Sequence, residues 1–321
     1  MGKVFVTGVS GFIGKIFLET LVAHHIDCVV LVRKFSSSIP SNVCQVIGDL
    51  SNLKKTPQKF LEDVDVVVHL AGKAESGLRN FDQDLRLCRS VNRDGTLNLA
   101  ESASLSGVKR FIFLSSAKVC GESTPEHKPF GNEAECAPFD AYAISKYEAE
   151  NGLLCLSETS NMDVVIIRPP IVYGPGSKGN FRSLISLVKA RLPLPLANIK
   201  NKRSFLAIDN LVSFLILCAD IEKSANAANE IFFVTDDEDV STSELISKIS
   251  TAFKIKVVLF YLPLPLLNGV ARLLGKKVIV DRLLGNLQLD ITKAKLLLGW
   301  YPYITMDQQL KKLAKFDKEE M

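Results

Sequence analysis

Tyr142 and Lys146 stand four positions apart, a spacing that places both side chains on one face of a helix. Pro138 and Asp140, just upstream, predict that this helix begins close to them. A free tyrosine has a pKa of about 10, and a nearby ammonium group lowers that pKa because it favours the phenolate. The pair is therefore suited to proton transfer with a hydroxyl or a forming alkoxide, although the spacing also occurs by chance on exposed helix faces.

Ser115 and Ser116 follow an apolar run at residues 111–114 that predicts a strand. A hydroxyl at the carboxyl end of a parallel strand faces the ligand crevice of the sheet. Ser116 is thus predicted to hydrogen-bond a reacting oxygen and to hold it against Tyr142. Without the other motifs, a turn serine explains the pair equally well.

The elements that must position these side chains alternate along the first half of the chain. Short runs rich in Val and Ile predict strands, and the amphipathic stretches between them predict helices. The predicted strands are residues 4–7, 29–32, 46–47, 66–70, 110–114 and 164–167, and the predicted helices include 12–23 and 91–106. The pattern predicts an α/β fold with a doubly wound parallel Rossmann sheet that is buried on both faces.

A glycine-rich turn joins the first strand to the first helix. Its glycines allow a tight turn, a close backbone approach to a pyrophosphate and close packing of helix on strand, and the helix N-terminus offers N–H groups to phosphates. Its place between a strand and a helix is what a dinucleotide site requires, and a purely structural turn is the minor alternative. The predicted cofactor contacts in this turn are Gly8, Ser10, Gly11, Phe12, Ile13 and Gly14.

The ends of the next strands bear on which dinucleotide binds. Arg33 follows the second strand, where an NAD site usually carries an acidic residue for the ribose 2′-hydroxyl. Because an arginine can pair with a 2′-phosphate, we expect NAD or NADP, with NADPH slightly favoured; a solvated arginine that tolerates both is the alternative. Asp49 is expected to hydrogen-bond the adenine, and small residues after the fourth strand would let the cofactor lie across it. These last contacts are Leu70, Ala71 and Gly72.

Pro and Gly become frequent after Pro169 and Pro170. We therefore predict an NAD(P)-binding Rossmann domain over residues 1–170. Residues 171–321 are predicted to form a smaller C-terminal α/β domain that binds the substrate. A late strand near residues 231–234 is expected to return to the first sheet.

The composition excludes several classes of function. The chain has 321 residues, of which 47% are hydrophobic, and its net charge of +4 is too small and scattered to argue for nucleic-acid binding. Its seven cysteines are odd in number and show no C-x-x-C spacing, so they support no metal site and fit a reducing, cytoplasmic location. No signal peptide is recognised at the start of the chain.

Residues 257–275 form the one segment that suggests a membrane. Pro263, Pro265, Gly269 and Arg272 interrupt its apolar run, so no transmembrane span is predicted. The preferred interpretation is a strand, a Pro-rich turn and a buried helix. Peripheral membrane contact through an interfacial patch is the weaker alternative.

A series of short stretches carries a family resemblance over nearly the whole chain. They are TGVSGFIG (7–14), GDL (48–50), VVHLAG (67–72), VNRDGTLNL (91–99), FLSSAKVCG (113–121), YAISK (142–146), RPPIVYGPG (168–176), RSFLAIDN (203–210) and LDITKAKLLLGW (289–300). In this order they resemble the extended short-chain dehydrogenase/reductases of the NAD-dependent nucleotide-sugar epimerase/dehydratase family.

The resemblance implies roles for individual residues. Ser116, Tyr142 and Lys146 would form the catalytic triad, supported by Asn92 through a backbone or water contact. Further cofactor contacts implied by the resemblance are Leu50, Asn92, Tyr142, Lys146 and Pro169.

The resemblance also implies a substrate site and an assembly. Asn180, Arg203 and Arg282 would hold the nucleotide diphosphate of a UDP-sugar, which agrees with the bidentate binding of phosphate by arginine. The alternative for each arginine is an ordinary surface charge. Relatives often form homodimers through helices near 85–106 and 141–158.

Three departures from the family pattern bear on the reaction. Ala117 and Lys118 replace the Asp-Glu pair that follows the catalytic hydroxyl residue in 4,6-dehydratases, so dehydration is disfavoured. Arg33 replaces the acidic residue of enzymes close to UDP-galactose 4-epimerase. Cys120 stands where the family usually has a tyrosine.

We therefore expect an NAD(P)-dependent oxidoreductase that acts at C4 of a UDP-sugar in surface-polysaccharide biosynthesis. The preferred reaction is the reduction of a UDP-4-keto-6-deoxy-N-acetylhexosamine, with the proton supplied by Tyr142. The first alternative is a UDP-glucose or UDP-N-acetylglucosamine 4-epimerase. The second is an NAD(P)-binding regulatory protein without catalysis, against which the complete Ser-Tyr-Lys set argues. A lipid-linked sugar substrate also stays open.

Overall fold

The strands are β1 (Val4–Thr7), β2 (Cys28–Val32), β3 (Cys44–Ile47), β4 (Val66–His69), β5 (Arg110–Leu114), β6 (Asp163–Arg168), β7 (Ile171–Tyr173), β8 (Phe205–Ala207) and β9 (Glu230–Phe233). The structure, a computed structural model, describes residues 1–53, 58–74, 80–197, 199–273 and 277–319. Within these ranges seven strands form one parallel sheet in the order β3-β2-β1-β4-β5-β6-β9, and β7 pairs with β8 in a small parallel sheet.

The helices are α1 (Phe12–Ala23), α2 (Phe81–Cys88), α3 (Thr96–Leu105), α4 (Ala141–Thr159), α5 (Gly179–Lys189), α6 (Ile208–Ala219), α7 (Thr242–Phe253), α8 (Leu264–Leu273), α9 (Lys277–Leu284), α10 (Thr292–Leu298) and α11 (Met306–Glu319). Together with the large parallel sheet they confirm the predicted doubly wound α/β fold. The strand order reverses between β1 and β4, and in such sheets ligands bind at the carboxyl ends of the strands on either side of that reversal.

The large sheet is buried on both faces. Successive side chains of a strand point to opposite faces, so Val4 and Val6 pack in the same apolar cluster as Phe17 of α1, whereas Phe5 packs in another cluster with Leu99 of α3. All four residues of β1 are buried. This core fixes the positions of the strand ends from which the site is built.

The C-terminal half contributes side chains to two apolar clusters. Phe214 of α6 and Phe232 of β9 pack into the core of the large sheet, and β9 pairs in parallel with β6 where a late strand is predicted. A separate apolar cluster joins the small sheet to α5, α7 and α11, with Phe205 and Leu310 among its buried members. The division at residue 170 stays a prediction.

Two local expectations need correction. The helix predicted over residues 91–106 is instead a π-helical turn at Arg89–Gly95 followed by α3. A π-helical turn contains more residues than an α-helical turn, and the hydrophobic periodicity of the sequence does not reveal this difference. The helix expected to be buried within 257–275 is α8, which is amphipathic: Leu267 is buried, whereas Leu266 is 58% exposed. No described helix is long and apolar enough to cross a membrane.

Candidate functional site

The glycine turn has the geometry that its sequence predicts. Gly8 adopts a positive φ of 79°, and a Cβ at this position would lie 2.6 Å from the backbone nitrogen of Ala71. A Cβ on Gly14 would collide with the carbonyl oxygen of Gly8, so a side chain there would prevent α1 from packing on β1. Gly11 precedes α1 and provides no side-chain cap, which leaves the first N–H groups of the helix available to phosphate oxygens.

A cavity of about 450 Å³ opens beside this turn, at the carboxyl ends of β1, β2 and β4. The predicted cofactor residues that line it are Gly8, Ser10, Gly11, Arg33, Asp49, Leu50, Leu70, Ala71 and Gly72. Thr7, Lys73 and Val91 also line it and are absent from the sequence prediction. Thr7 and Val91 are the first residues of the TGVSGFIG and VNRDGTLNL stretches, and Lys73 directly follows VVHLAG.

A second cavity of about 620 Å³ shares Ser10, Val32 and Arg33 with the first. Lys15, Lys34 and Glu19 also line it, so with Arg33 three of its four charged side chains are basic, and we call it the basic cavity. Asp49 lines the first cavity, and its carboxylate accepts hydrogen bonds from the backbone and hydroxyl of Ser51. These bonds, and more weakly the charge of Arg33, lower the pKa of Asp49, which therefore stays ionised.

The remaining predicted cofactor residues lie outside the lining of the first cavity. Phe12 and Ile13 are partly buried against the core of the large sheet, and Gly14 supports the turn. Pro169 follows β6, and its carbonyl oxygen accepts a hydrogen bond from the backbone of Ala117.

Tyr142 lies in the first turn of α4, as predicted. Asp140 caps this helix by accepting a hydrogen bond from the Ala143 backbone at 2.6 Å. Burial, reinforced by the charge of Asp140, raises the pKa of Tyr142 to about 12, while its hydrogen bond with Ser116 acts in the opposite direction. The structure thus brings Ser116 and Tyr142 together, and leaves the phenol protonated near neutral pH.

Lys146 lies one turn further along α4 and is buried. Its ammonium group donates a hydrogen bond to the carbonyl oxygen of Leu114 at 2.8 Å and lies 4.4 Å from the centre of the Phe113 ring. Burial lowers the pKa of Lys146 to about 7, although the charge of Glu150 opposes this shift. A Cβ on Gly72 would lie 3.2 Å from Lys146 Nζ, so the lysine adjoins the wall of the first cavity.

Asn92 is buried in the π-helical turn and joins three segments of the site. Its amide donates to the hydroxyl of Ser145 and to the carbonyl oxygen of Lys73, and its oxygen accepts from the backbone of Lys73 at 2.7 Å. Ser145 in turn donates to the carbonyl oxygen of Tyr142. Asn92 therefore ties the loop after β4 to the helix that carries Tyr142.

A second buried network lies under the cavity and is absent from the sequence prediction. His69 is within hydrogen-bond distance of Thr7 Oγ1 through Nδ1, at 2.7 Å, and of Thr96 Oγ1 through Nε2, at 2.9 Å. Thr96 donates to the carbonyl oxygen of Asn92, and Thr7 accepts from the backbone of Ala71. Every bond is satisfied when His69 carries its proton on Nε2, and burial lowers its pKa to about 3.

The predicted substrate residues are less closely gathered. Asn180 is exposed in the first turn of α5. Arg203 donates to the carbonyl oxygens of Arg282 and Gly285, and burial lowers its pKa. Arg282 donates to Glu122 at 2.7 Å, and Glu122 follows the turn that begins at Ser116.

Comparison with known proteins gives consistent matches over the chain. The profile described as the NAD dependent epimerase/dehydratase family matches residues 4–233. A UDP-glucose 4-epimerase from Vibrio cholerae is 41% identical over 314 residues, which cover 98% of this chain and 94% of that protein. An N-acetyl-alpha-D-glucosaminyl-diphospho-ditrans,octacis-undecaprenol 4-epimerase from Escherichia coli O157:H7 is 28% identical and covers 91% of this chain and 88% of its own.

A similar fold occurs in a solved structure. UDP-glucuronic acid 4-epimerase from Bacillus cereus, in complex with NAD, superposes with a TM-score of 0.78 over 99% of both chains. Sequence identity between the two is 21%. This likeness supports the architecture of the sheet and its flanking helices.

Proposed function

The chain belongs to the NAD dependent epimerase/dehydratase family, and from that premise we propose that it is a UDP-hexose 4-epimerase. The observation that carries the proposal is its 41% identity, over nearly the whole of both chains, to the UDP-glucose 4-epimerase of Vibrio cholerae. UDP-glucose is accordingly the first substrate to test. The comparisons support this alternative better than the reduction of a 4-keto sugar, which the sequence alone favours.

The residues present fit a dinucleotide with its pyrophosphate at the N-terminus of α1. A Cβ on Gly8 or Gly14 would fill the space that the turn needs, and the helix has no side-chain cap of its own. Gly8, Ser10 and Gly11 would hold the pyrophosphate, and Asp49 and Leu50 the adenosine end. When bound, NAD would supply reversible oxidation at C4 of the sugar.

Tyr142 is the residue we assign to proton transfer. It would take the proton of the C4 hydroxyl. It would return that proton after the 4-keto sugar has rotated to present its opposite face. In the cofactor-free protein burial holds the pKa of Tyr142 at about 12. The positive charge of an oxidised nicotinamide ring and the hydrogen bond from the Ser116 hydroxyl would both favour the phenolate. Together they would lower the pKa of Tyr142 toward neutrality.

Lys146 and Asn92 act around that tyrosine. Because burial lowers the pKa of Lys146 to about 7, this lysine gains or loses its proton near neutral pH, and it lies one helical turn from Tyr142. Asn92 has its amide committed to Lys73 and Ser145, so we assign it a positioning role. The start of α4 is thereby connected to Lys73, which lines the cavity.

Arg203, Arg282 and Asn180 are our candidates for the substrate diphosphate. Arg282 pairs with Glu122 in the structure, so a diphosphate would have to exchange with that carboxylate. Arg203 lies beside it, bonded to the backbone of the same segment. Two adjacent guanidinium groups suit a diphosphate because each can bind its oxygens bidentately.

The 4-keto reductase is the second candidate, and one observation favours it. Arg33 and Lys34 line the basic cavity next to the predicted ribose site, which suits the 2′-phosphate of NADP better than the hydroxyl of NAD. A reductase oxidises one NADPH at each turnover, whereas an epimerase returns its NAD to the oxidised form and consumes no cofactor. This difference separates the two functions by experiment.

A homodimer is part of the proposal. α2 and α4 contact one another, and Phe81 and Leu87 on α2 are 50% and 42% exposed. A second copy packed against these helices would cover both side chains.

The deciding experiment incubates the purified protein with UDP-glucose or UDP-N-acetylglucosamine and no added cofactor. Formation of the 4-epimer, with NAD released on denaturation, is the expected result. If the sugar is unchanged but a UDP-4-keto-6-deoxy sugar is reduced with consumption of NADPH, the epimerase proposal is wrong and the reductase is right. Cofactor binding without turnover of any sugar would indicate a regulatory protein.

A further inference from the structure

An exposed apolar surface is formed by residues between positions 192 and 273. Six large apolar side chains, between 42% and 89% exposed, contribute to it. They are Leu192, Val258, Phe260, Tyr261, Leu266 and Leu273. We call this surface the apolar-basic face.

Two extended segments and a helix build the face. The backbone of Leu194 donates to Val258 and accepts from Phe260, and Ala197 donates to Phe260, so residues 194–197 lie beside 258–260. Because side chains alternate along extended chain, Leu194 and Leu259 pack inward while Val258 and Phe260 point outward. Next along the chain, α8 buries Leu267 and exposes Leu266.

The two sequence segments that build the face are rich in basic residues. Residues 190–201 and 254–280 together contain seven of the chain's 39 Lys and Arg and none of its 35 Asp and Glu. The rest of the chain, with 32 basic and 35 acidic residues, is net negative. The exposed basic residues described in the two segments are Arg191, Lys200, Lys254, Lys256, Arg272 and Lys277, and none forms an ion pair with a described residue.

We infer that the apolar-basic face docks the protein on an anionic phospholipid surface. Exposed Leu, Phe and Tyr side chains beside lysines and arginines, on segments that contain no acidic residue, are typical of protein surfaces that bind the membrane interface. The centre of a protein–protein interface is instead depleted in lysine. The charge of the face is therefore complementary to anionic lipid headgroups. Its apolar side chains are of the types that insert at the boundary between the headgroups and the acyl chains.

The position of the face gives the docking a consequence for the site. α9 packs against α8 and carries Arg282, whose side chain reaches Glu122 beside the turn that begins at Ser116. A membrane held against α8 would therefore lie one helix away from Arg282 of the proposed diphosphate site. Docking itself is independent of the sugar chemistry, since it can be measured without turnover.

The test is flotation of the full-length protein with vesicles. We expect binding to phosphatidylcholine vesicles that contain phosphatidylglycerol, and about tenfold or more weaker binding to pure phosphatidylcholine or at high salt. Replacing both aromatic residues, Phe260→Ser with Tyr261→Ser, should lower the partition coefficient at least about tenfold. The matched control is Tyr301→Ser, because Tyr301 is 62% exposed but lies outside the face.

A second pair of variants keeps the test decisive if the aromatic variant does not fold. Lys254→Glu with Lys256→Glu reverses two exposed charges of the face, and Lys311→Glu with Lys318→Glu reverses two exposed charges on α11. Only the first pair should abolish binding. Equal binding by both pairs, or no flotation of the wild type at low salt, would overturn the inference. A dimer that dissociates on Phe260→Ser with Tyr261→Ser would assign the face to a second copy of the chain instead.

Discussion

The ammonium group of Lys118 lies 2.7 Å from a carboxylate oxygen of Asp140. This ion pair joins the turn that begins at Ser116 to the cap of α4, the helix that carries Tyr142. It also places a positive charge beside the carboxylate that raises the pKa of Tyr142. The residue that departs from the dehydratase pattern is therefore connected to the proposed proton-transfer group.

Replacing Lys118 should shift the pH dependence of the reaction. In Lys118→Met the charge of Asp140 loses its counter-charge, so the pKa of Tyr142 rises further and less phenolate forms at a given pH. The pKa of the ascending limb in the pH profile of kcat/KM should move upward, and activity should recover at higher pH. Lys118→Arg, which keeps the charge, should stay close to the wild type. A fall in activity that is uniform with pH would contradict this electrostatic role.

Tyr142→Phe should remove proton transfer and little else. We expect kcat to fall by about 10²- to 10⁴-fold, the usual contribution of a positioned acid or base. The variant should still retain cofactor, because the ring remains in place. Tyr147→Phe, on the same helix, is the control and should keep near-normal turnover. Wild-type activity in Tyr142→Phe would remove the tyrosine from the mechanism.

Lys146 should make the stability of the cofactor-free protein depend on pH. Its pKa is about 7 in the folded chain and 10.5 as the reference value, so between these values the unfolded chain binds more protons. Stability should therefore rise with pH from about 7 to about 10, since the desolvation penalty is present below that window and is lost as the pH rises. Tyr142, whose pKa is raised to about 12, reverses the trend above its reference value of 10.0.

The measurement compares the wild type with Lys146→Met by denaturant unfolding at pH 7 and pH 9.5, two values that flank most of the window. The variant lacks the titrating group, so its advantage at pH 7, on the order of a few kcal/mol, should shrink at the higher pH. Parallel pH dependence in both proteins would show that Lys146 keeps an ordinary pKa.

Gly14→Ala should prevent cofactor binding. Its Cβ would meet the Gly8 carbonyl oxygen, which is backbone and cannot rotate away, so α1 would be displaced from the turn. The control is Gly269→Ala, on α8, where a Cβ meets nothing within 4 Å. That change should leave cofactor binding intact and stabilise the helix by up to about 1 kcal/mol. Calorimetric titration with NAD compares the two, and normal binding by Gly14→Ala would be the contrary result.

Arg33→Asp should shift cofactor preference toward NAD. An acidic residue here can accept from the ribose 2′-hydroxyl and repels a 2′-phosphate, so the ratio of the NADP and NAD dissociation constants should rise at least about tenfold. Arg33→Lys keeps the charge and should change the ratio less. If Arg33→Asp leaves the ratio unchanged, Arg33 is a solvated side chain and does not bind the 2′-phosphate of NADP.

The sequence by itself determined the elements that depend on near neighbours. The turn from Gly8 to Gly14, the capped start of α4 and the buried strands follow from spacing and residue type, and the structure has each of them. The family follows from the same motifs, taken in order. These features depend on interactions within a few residues, which a linear pattern records.

Only the tertiary structure decided the connections between distant residues. His69 meets Thr7 and Thr96, and Arg282 meets Glu122 across 160 positions. The exposed half of α8 was likewise not evident from its apolar composition. Such contacts depend on how strands and helices pack in three dimensions, so burial, and with it the pKa of Tyr142 and of Lys146, is a property of the fold and not of the local sequence.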